Sequence, residues 1–189
     1  DILSIDLQSD KEAFYRTIRN SLLAIHYLEQ HPHVDRNSIY FLGVSLGALV
    51  GSVVCGQYKK FKGIALVVSG GNIEILTQKS MLDSMVNIRY FLLKEKMTAS
   101  DLAQNWKDID PLTWIPHLNH SPIFFFNASQ DIIVPPECTW ELYDHTSSPK
   151  NIFWYPTGHG LLFERNFGVP QKIMSIFKKV HSSSRDGKD

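Results

Sequence analysis

Three residues of this 189-residue chain have the types needed for nucleophilic acyl chemistry: Ser45, Asp131 and His159, in that order. A serine hydroxyl is a weak nucleophile at neutral pH and needs a base within hydrogen-bond reach. A histidine can take its proton. A carboxylate on the other imidazole nitrogen fixes the tautomer and stabilises the imidazolium. Ser45 lies in Gly43-Val44-Ser45-Leu46-Gly47, after apolar Ile39-Tyr40-Phe41-Leu42 and before the small-residue stretch Ala48-Leu49-Val50-Gly51-Ser52. A strand running straight into a helix makes a sharp turn that lifts the serine oxygen clear of a sheet. Gly43 and Gly47 are expected where flanking backbone passes close to that turn, and Gly47 with Gly51 where the helix approaches the sheet. The Leu46 N–H heads the helix and points where a developing oxyanion would be stabilised.

Asp131 follows Ser121-Pro122-Ile123-Phe124-Phe125-Phe126-Asn127-Ala128, an apolar and aromatic run with proline near its start, which reads as a buried strand. His159 follows a second such run, Asn151-Ile152-Phe153-Trp154-Tyr155, and sits on a loop in Gly158-His159-Gly160. Each residue has two readings. Asp131 is the orienting acid or the cap of the turn before a helix at Pro135. His159 is the base or an ordinary loop histidine.

The elements that must position these residues alternate along the chain. Residues 10–30 read as an amphipathic helix with Phe14, Ile18, Leu22, Ile25 and Leu28 on one face. Residues 38–44 are the nucleophile strand, 46–57 the helix after it, and 63–69 a nearly all-apolar strand of the kind covered on both faces. Helices are expected at 135–145 and 170–181, the latter with Ile173, Ile176, Phe177 and Val180 inward. Strands alternating with helices predict an α/β fold with a doubly wound, mostly parallel sheet. Residues 1–181 read as one domain, and the polar stretch 182–189 as a disordered tail.

Between two core strands, residues 72–118 form an insertion with helical apolar spacing, including Leu82, Met85, Leu102, Trp106 and Ile109. It reads either as plain core or as an apolar roof over the nucleophile. Asp108-Ile109-Asp110-Pro111-Leu112 marks the return toward the sheet.

Composition excludes several classes. Lys+Arg and Asp+Glu are 19 each, so the net charge of zero argues against nucleic-acid or membrane-surface binding. No apolar run reaches the ~18 residues of a transmembrane helix. The first residues show no basic segment followed by an apolar core. His117 with His120, and His31 with His33, lack the carboxylate or cysteine set that would complete a metal site. There is no phosphate loop or dinucleotide fingerprint, so no cofactor is expected. Cys55 and Cys138, without metal-type spacing, read as buried free thiols of a reducing, cytoplasm-like compartment; a single disulfide stays open.

From about residue 10 to about residue 180 the sequence resembles the α/β-hydrolase family. The resemblance rests on the Gly43–Gly47 turn, on the approach His31-Pro32-His33-Val34-Asp35-Arg36-Asn37-Ser38-Ile39, on Gln130-Asp131-Ile132-Ile133-Val134-Pro135 as the acid loop, and on Gly158-His159-Gly160 as the histidine loop. It implies a serine hydrolase that cleaves carboxylic esters through an acyl-enzyme on Ser45, with His159 as base and Asp131 as acid. A thioesterase or acyltransferase would use the same three residues, and a peptidase is a further variant. Some members carry the acid after the preceding strand, where Glu74 is the fallback. The resemblance also implies that an insertion at 72–118 often forms a lid. It implies that several strands precede the nucleophile, with a loop supplying a second oxyanion N–H. Only 44 residues precede Ser45, so the chain is expected to be the C-terminal portion of a longer protein. A partner chain or segment would then supply the missing strands. The rival expectation is a non-catalytic interaction or regulatory fragment.

Overall fold

The computed structural model describes residues 4–183. Leu7–Gln30 form α1, begun by Asp6, whose carboxylate accepts the Ser9 N–H at 3.1 Å. Its buried contacts come from Ile18 and Ile25, whereas Leu28, expected on the same face, is 40% exposed. The apolar stripe drifts round a helix this long, so its last turn leaves the core. Tyr40–Val44 form β1, Leu46–Tyr58 α2, and Gly63–Val67 β2. Residues 72–118 then fold as α3 (Ile73–Lys79), α4 (Asp83–Lys94), α5 (Ala99–Asn105) and α6 (Pro111–Trp114) with two short 3-10 turns. Ile123–Ala128 form β3, Pro136–His145 α7, Lys150–Tyr155 β4 and Val169–Ser183 α8.

The four strands lie in the order β1-β2-β3-β4 and every pair is parallel. Parallel neighbours need a crossover between them, which is what the intervening helices supply. Side chains alternate across β2 and β3. Ile64, Leu66, Ile123 and Phe125 face α1, α2, the insertion and α7. Ala65, Val67, Phe124 and Phe126 face the other way, onto Val169 and Ile173 of α8. With helices on both faces, β2 and β3 are buried along their whole length, which explains their unbroken apolar sequences. β1 and β4 are the outer strands and only partly buried.

Asp110 does more than mark a return to the sheet. Its carboxylate accepts the Asn72 N–H at 3.1 Å and the Ile73 N–H at 2.8 Å at the start of α3. It also accepts the Leu112 N–H at 2.9 Å at the start of α6. One buried carboxylate thereby closes both ends of the insertion onto each other. At the other end of the chain, Ser182 and Ser183, expected in a disordered tail, complete α8; residues 184–189 lie outside the described residues.

Candidate active site

Ser45 stands between β1 and α2 with φ 52°, a left-handed value that costs a non-glycine residue strain. The backbone fixes it there. Its N–H continues the β ladder to Val67 O at 2.9 Å, and its carbonyl accepts from Ala48 and Leu49 of α2. Serine favours helix N-caps because its hydroxyl accepts a backbone N–H, yet this hydroxyl caps nothing. It faces His159 Nε2 at 2.8 Å instead. Strain recurs beside it, where Val68, just past β2, has φ 46°.

The two glycines of the turn have different reasons. A Cβ on Gly43 would lie 2.6 Å from Gly47 O and 2.8 Å from Ala48 Cα, so the close approach of α2 requires glycine there. A Cβ on Gly47 would meet nothing within 4 Å. The expectation of crowding at Gly47 is therefore corrected: it faces open space. Gly51 keeps its expected role, since its Cβ would run into the Phe41 ring.

Asp131 has partners on both carboxylate oxygens. Oδ1 accepts the N–H groups of Ile133 (2.8 Å) and Val134 (2.9 Å), which holds the turn before α7. Oδ2 lies 2.8 Å from His159 Nδ1. A carboxylate only accepts, so Nδ1 carries the proton, and in the neutral ring Nε2 is left to accept from the Ser45 hydroxyl. The Asp131 carboxylate is almost wholly buried and the His159 ring about a quarter exposed. The two loops are sewn together by Ser129 N–H to Tyr155 O (2.9 Å) and Gln130 N–H to Thr157 O (3.0 Å). Glu74 is elsewhere: it lies in the first turn of α3 and accepts from Gln78 at 3.2 Å, so the fallback acid does not join the site.

Leu46 is the first residue of α2, so its N–H has no carbonyl four residues back within the helix. Beside Ser45 and His159 opens a cavity of about 230 Å³, lined by Leu49, Leu76, Met85, Leu102 and Trp106 among others. Its two remaining hydroxyls turn away into backbone: Thr77 Oγ1 donates to Ile73 O and Ser80 Oγ to Ile133 O. The wall is therefore apolar apart from Ser45 and His159. Sequence reasoning missed Ser80, which joins the insertion to the acid loop through Ile133 O, and Arg89, which meets the Ser80 and Thr77 carbonyls within the insertion. Their only signal was polarity within an apolar stretch. Cys55 and Cys138 are buried free thiols. Burial pushes the Cys138 thiol up to about 12 and Cys55 well above the usual thiol range, so both stay protonated and unreactive. No group of three or more metal-ligating side chains occurs among the described residues, and no described helix is long and apolar enough to cross a membrane.

Among solved structures, the chain is similar to acetyl xylan esterase 1 from Thermoanaerobacterium sp., with TM-score 0.78 and 15% identity, over 93% of this chain and 56% of that one. It is also similar to an acetyl xylan esterase from Paenibacillus sp. (TM-score 0.75, 18% identity, 86% of this chain and 52% of that one). A third likeness is to a puromycin-hydrolyzing peptidase of Mycobacterium tuberculosis (TM-score 0.60, 14% identity, 76% and 22%). At these identities the likeness is one of fold, the α/β-hydrolase fold. The chain spans about half the length of the two esterases. No curated protein matches it by sequence. The family described as "BAAT / Acyl-CoA thioester hydrolase C terminal" matches residues 23–134, a span that takes in Ser45 and Asp131 and ends before His159. That span is more than half of the chain, and the protein accordingly belongs to the BAAT / acyl-CoA thioester hydrolase C-terminal family.

Proposed function

We propose that this chain carries the acyl-transfer centre of a serine hydrolase acting on activated acyl groups with an apolar chain, acyl thioesters foremost. The observation that supports it best is the unbroken chain of hydrogen bonds from Ser45 through His159 to Asp131, opening onto an apolar cavity. Ser45 Oγ attacks the acyl carbonyl while its proton passes to His159 Nε2. Asp131 Oδ2 holds the Nδ1 proton and stabilises the imidazolium. The tetrahedral oxyanion is met by the Leu46 N–H at the N-terminus of α2. Collapse breaks the bond to the leaving group. The departing thiolate or alkoxide takes the proton from His159 Nε2, which returns the imidazole to its neutral form. Water then attacks the acyl-enzyme with His159 again as base, releasing the acid and restoring the Ser45 hydroxyl.

The three residues do not distinguish a thioester from a carboxylic ester, since the leaving group lies outside them. Family membership favours the thioester. The test is a fluorophosphonate probe on the purified chain, with the adduct located by peptide mass spectrometry and Ser45→Ala and His159→Ala as controls. Labelling at Ser45 that both substitutions abolish is expected. A matched series of thioesters and oxygen esters should then show kcat/KM rising about fourfold per added methylene, the equivalent of ~0.8 kcal/mol, until the cavity is full. A well-folded chain that never labels would favour the non-catalytic reading.

A further inference from the structure

Resting on the serine-hydrolase reading, we propose that Arg89 is a positioning residue of this site, holding the Asp131 carboxylate through a relay of two peptide groups. Arg89, on α4, donates from Nη1 to Ser80 O at 2.7 Å and to Thr77 O at 2.9 Å. The Ser80 carbonyl belongs to the same peptide group as the Met81 N–H, which donates to Ile132 O at 2.7 Å. The Ile132 carbonyl in turn shares its peptide group with the Ile133 N–H, which donates to Asp131 Oδ1 at 2.8 Å. A guanidinium cation thus stands at one end, a carboxylate at the other, and each dipole between them points the same way. Bonds in such a chain polarise one another.

A second branch reinforces the first. Ser80 Oγ donates to Ile133 O at 2.6 Å, and the N–H of that same peptide group, on Val134, donates to Oδ1 at 2.9 Å. Ser80 is fully buried, and its hydroxyl also accepts the Leu82 N–H. Arg89 itself is placed by the last turn of α3, where carbonyls left without an intrahelical partner favour a cation. The consequence falls on Oδ2. With Oδ1 committed to two N–H groups, Oδ2 is the oxygen presented to His159 Nδ1. If residues 132–134 slackened, the carboxylate would turn and His159 would lose its orienting partner.

The experiment measures fluorophosphonate labelling of Ser45 at limiting and saturating probe in the wild-type chain, Arg89→Met, Arg89→Lys and Lys79→Met. The Lys79 side chain pairs with Glu137 at 2.6 Å across α3 and α7, away from the hydrogen bonds of the relay. The expected result is a maximal labelling rate about 10- to 100-fold lower in Arg89→Met, with the half-saturating probe concentration unchanged. Arg89→Lys should recover most of that loss, because both carbonyls are met by one nitrogen, and Lys79→Met should label as wild type. The NMR resonance of the His159 Nδ1 proton should shift in Arg89→Met and return in Arg89→Lys. Wild-type labelling together with an unmoved resonance in Arg89→Met would overturn the proposal. If Arg89→Met does not fold, Ser80→Ala, which removes the second branch together with the acceptor of the Leu82 N–H and leaves the first branch in place, must show the same direction of change. If the wild-type chain never labels, the serine-hydrolase reading fails, and the resonance still decides the relay.

Discussion

Asp131 is 4% exposed and held by three hydrogen bonds, on loops tied to each other and to the insertion. Leu46, beside the nucleophile, is 37% exposed, and Leu42 on β1 is 51% exposed, with no strand on the far side of β1 among the described residues. The Asp131–His159 half of the site is enclosed by its own chain, and the Ser45 half stands at a more open margin among the described residues. Enclosure therefore sets the geometry of Asp131 and His159, whereas Ser45 is held mainly by backbone: the β1–β2 ladder, its own carbonyl accepting from the first turn of α2, and glycine at position 43. The two halves should respond differently to substitution.

The sharpest break is at Asp131. Asp131→Asn keeps an acceptor for the turn but presents the wrong partner to His159, so labelling of Ser45 should fall by about 10⁴ with little change in unfolding free energy. Asp131→Ala should lose the same activity and also destabilise the fold by about 2 kcal/mol or more, because two N–H groups lose their acceptor. Probe kinetics and urea unfolding on both variants separate the two jobs. Equal stability of the two variants would show that the turn does not depend on the carboxylate.

At the nucleophile the sign reverses. Ser45→Gly abolishes labelling but should raise unfolding free energy by about 1 kcal/mol, since glycine takes a φ of 52° without strain and only part of that gain is offset by chain entropy. Ser45→Ala, with the strain retained, should not stabilise. A chain made less stable by Ser45→Gly would refute the strain at this turn.

The smallest effect concerns the tie between α1 and α2 on the nucleophile side, where the Tyr58 hydroxyl donates to Glu29 at 3.0 Å. Burial and the Glu29 carboxylate raise the Tyr58 phenol from its ordinary 10.0 to about 12. A raised acid favours its neutral form in the fold, so this contribution is complete below pH 10 and is lost as pH rises toward 12. Tyr58→Phe should flatten the alkaline fall of the melting temperature across that window.

The strands, the turn at Ser45 and the loops of Asp131 and His159 were legible because local punctuation marks them. Apolar runs end at glycine, proline and polar clusters, and the chemistry needs particular side chains. That Asp131 would divide its two oxygens between the turn and His159 was not legible, because a cap and an orienting acid look alike until both oxygens have partners. That the fallback Glu74 lies apart from His159 likewise needed the fold, which spends Glu74 on Gln78 in α3. The contacts from Ser80 and Met81 to the acid loop run largely through backbone groups, and those carry no residue signature at all. Gly47 misled for the opposite reason. Its neighbours Gly43 and Gly51 are crowded, and sequence cannot show which of the three faces open space.

The corner formed by Ser80 and Met81 bears on how this protein could diversify. Residues farther along the insertion, such as Met85, Leu102 and Trp106, form cavity wall and can change size to suit a different acyl group. The corner cannot follow them, since its bonds to Ile132 and Ile133 belong to the scaffold of the acid loop. If the proposed function holds, directed evolution of chain-length preference should accumulate changes at such wall positions and leave Ser80 alone, and an insertion transplanted from a relative would have to bring a matching hinge with it.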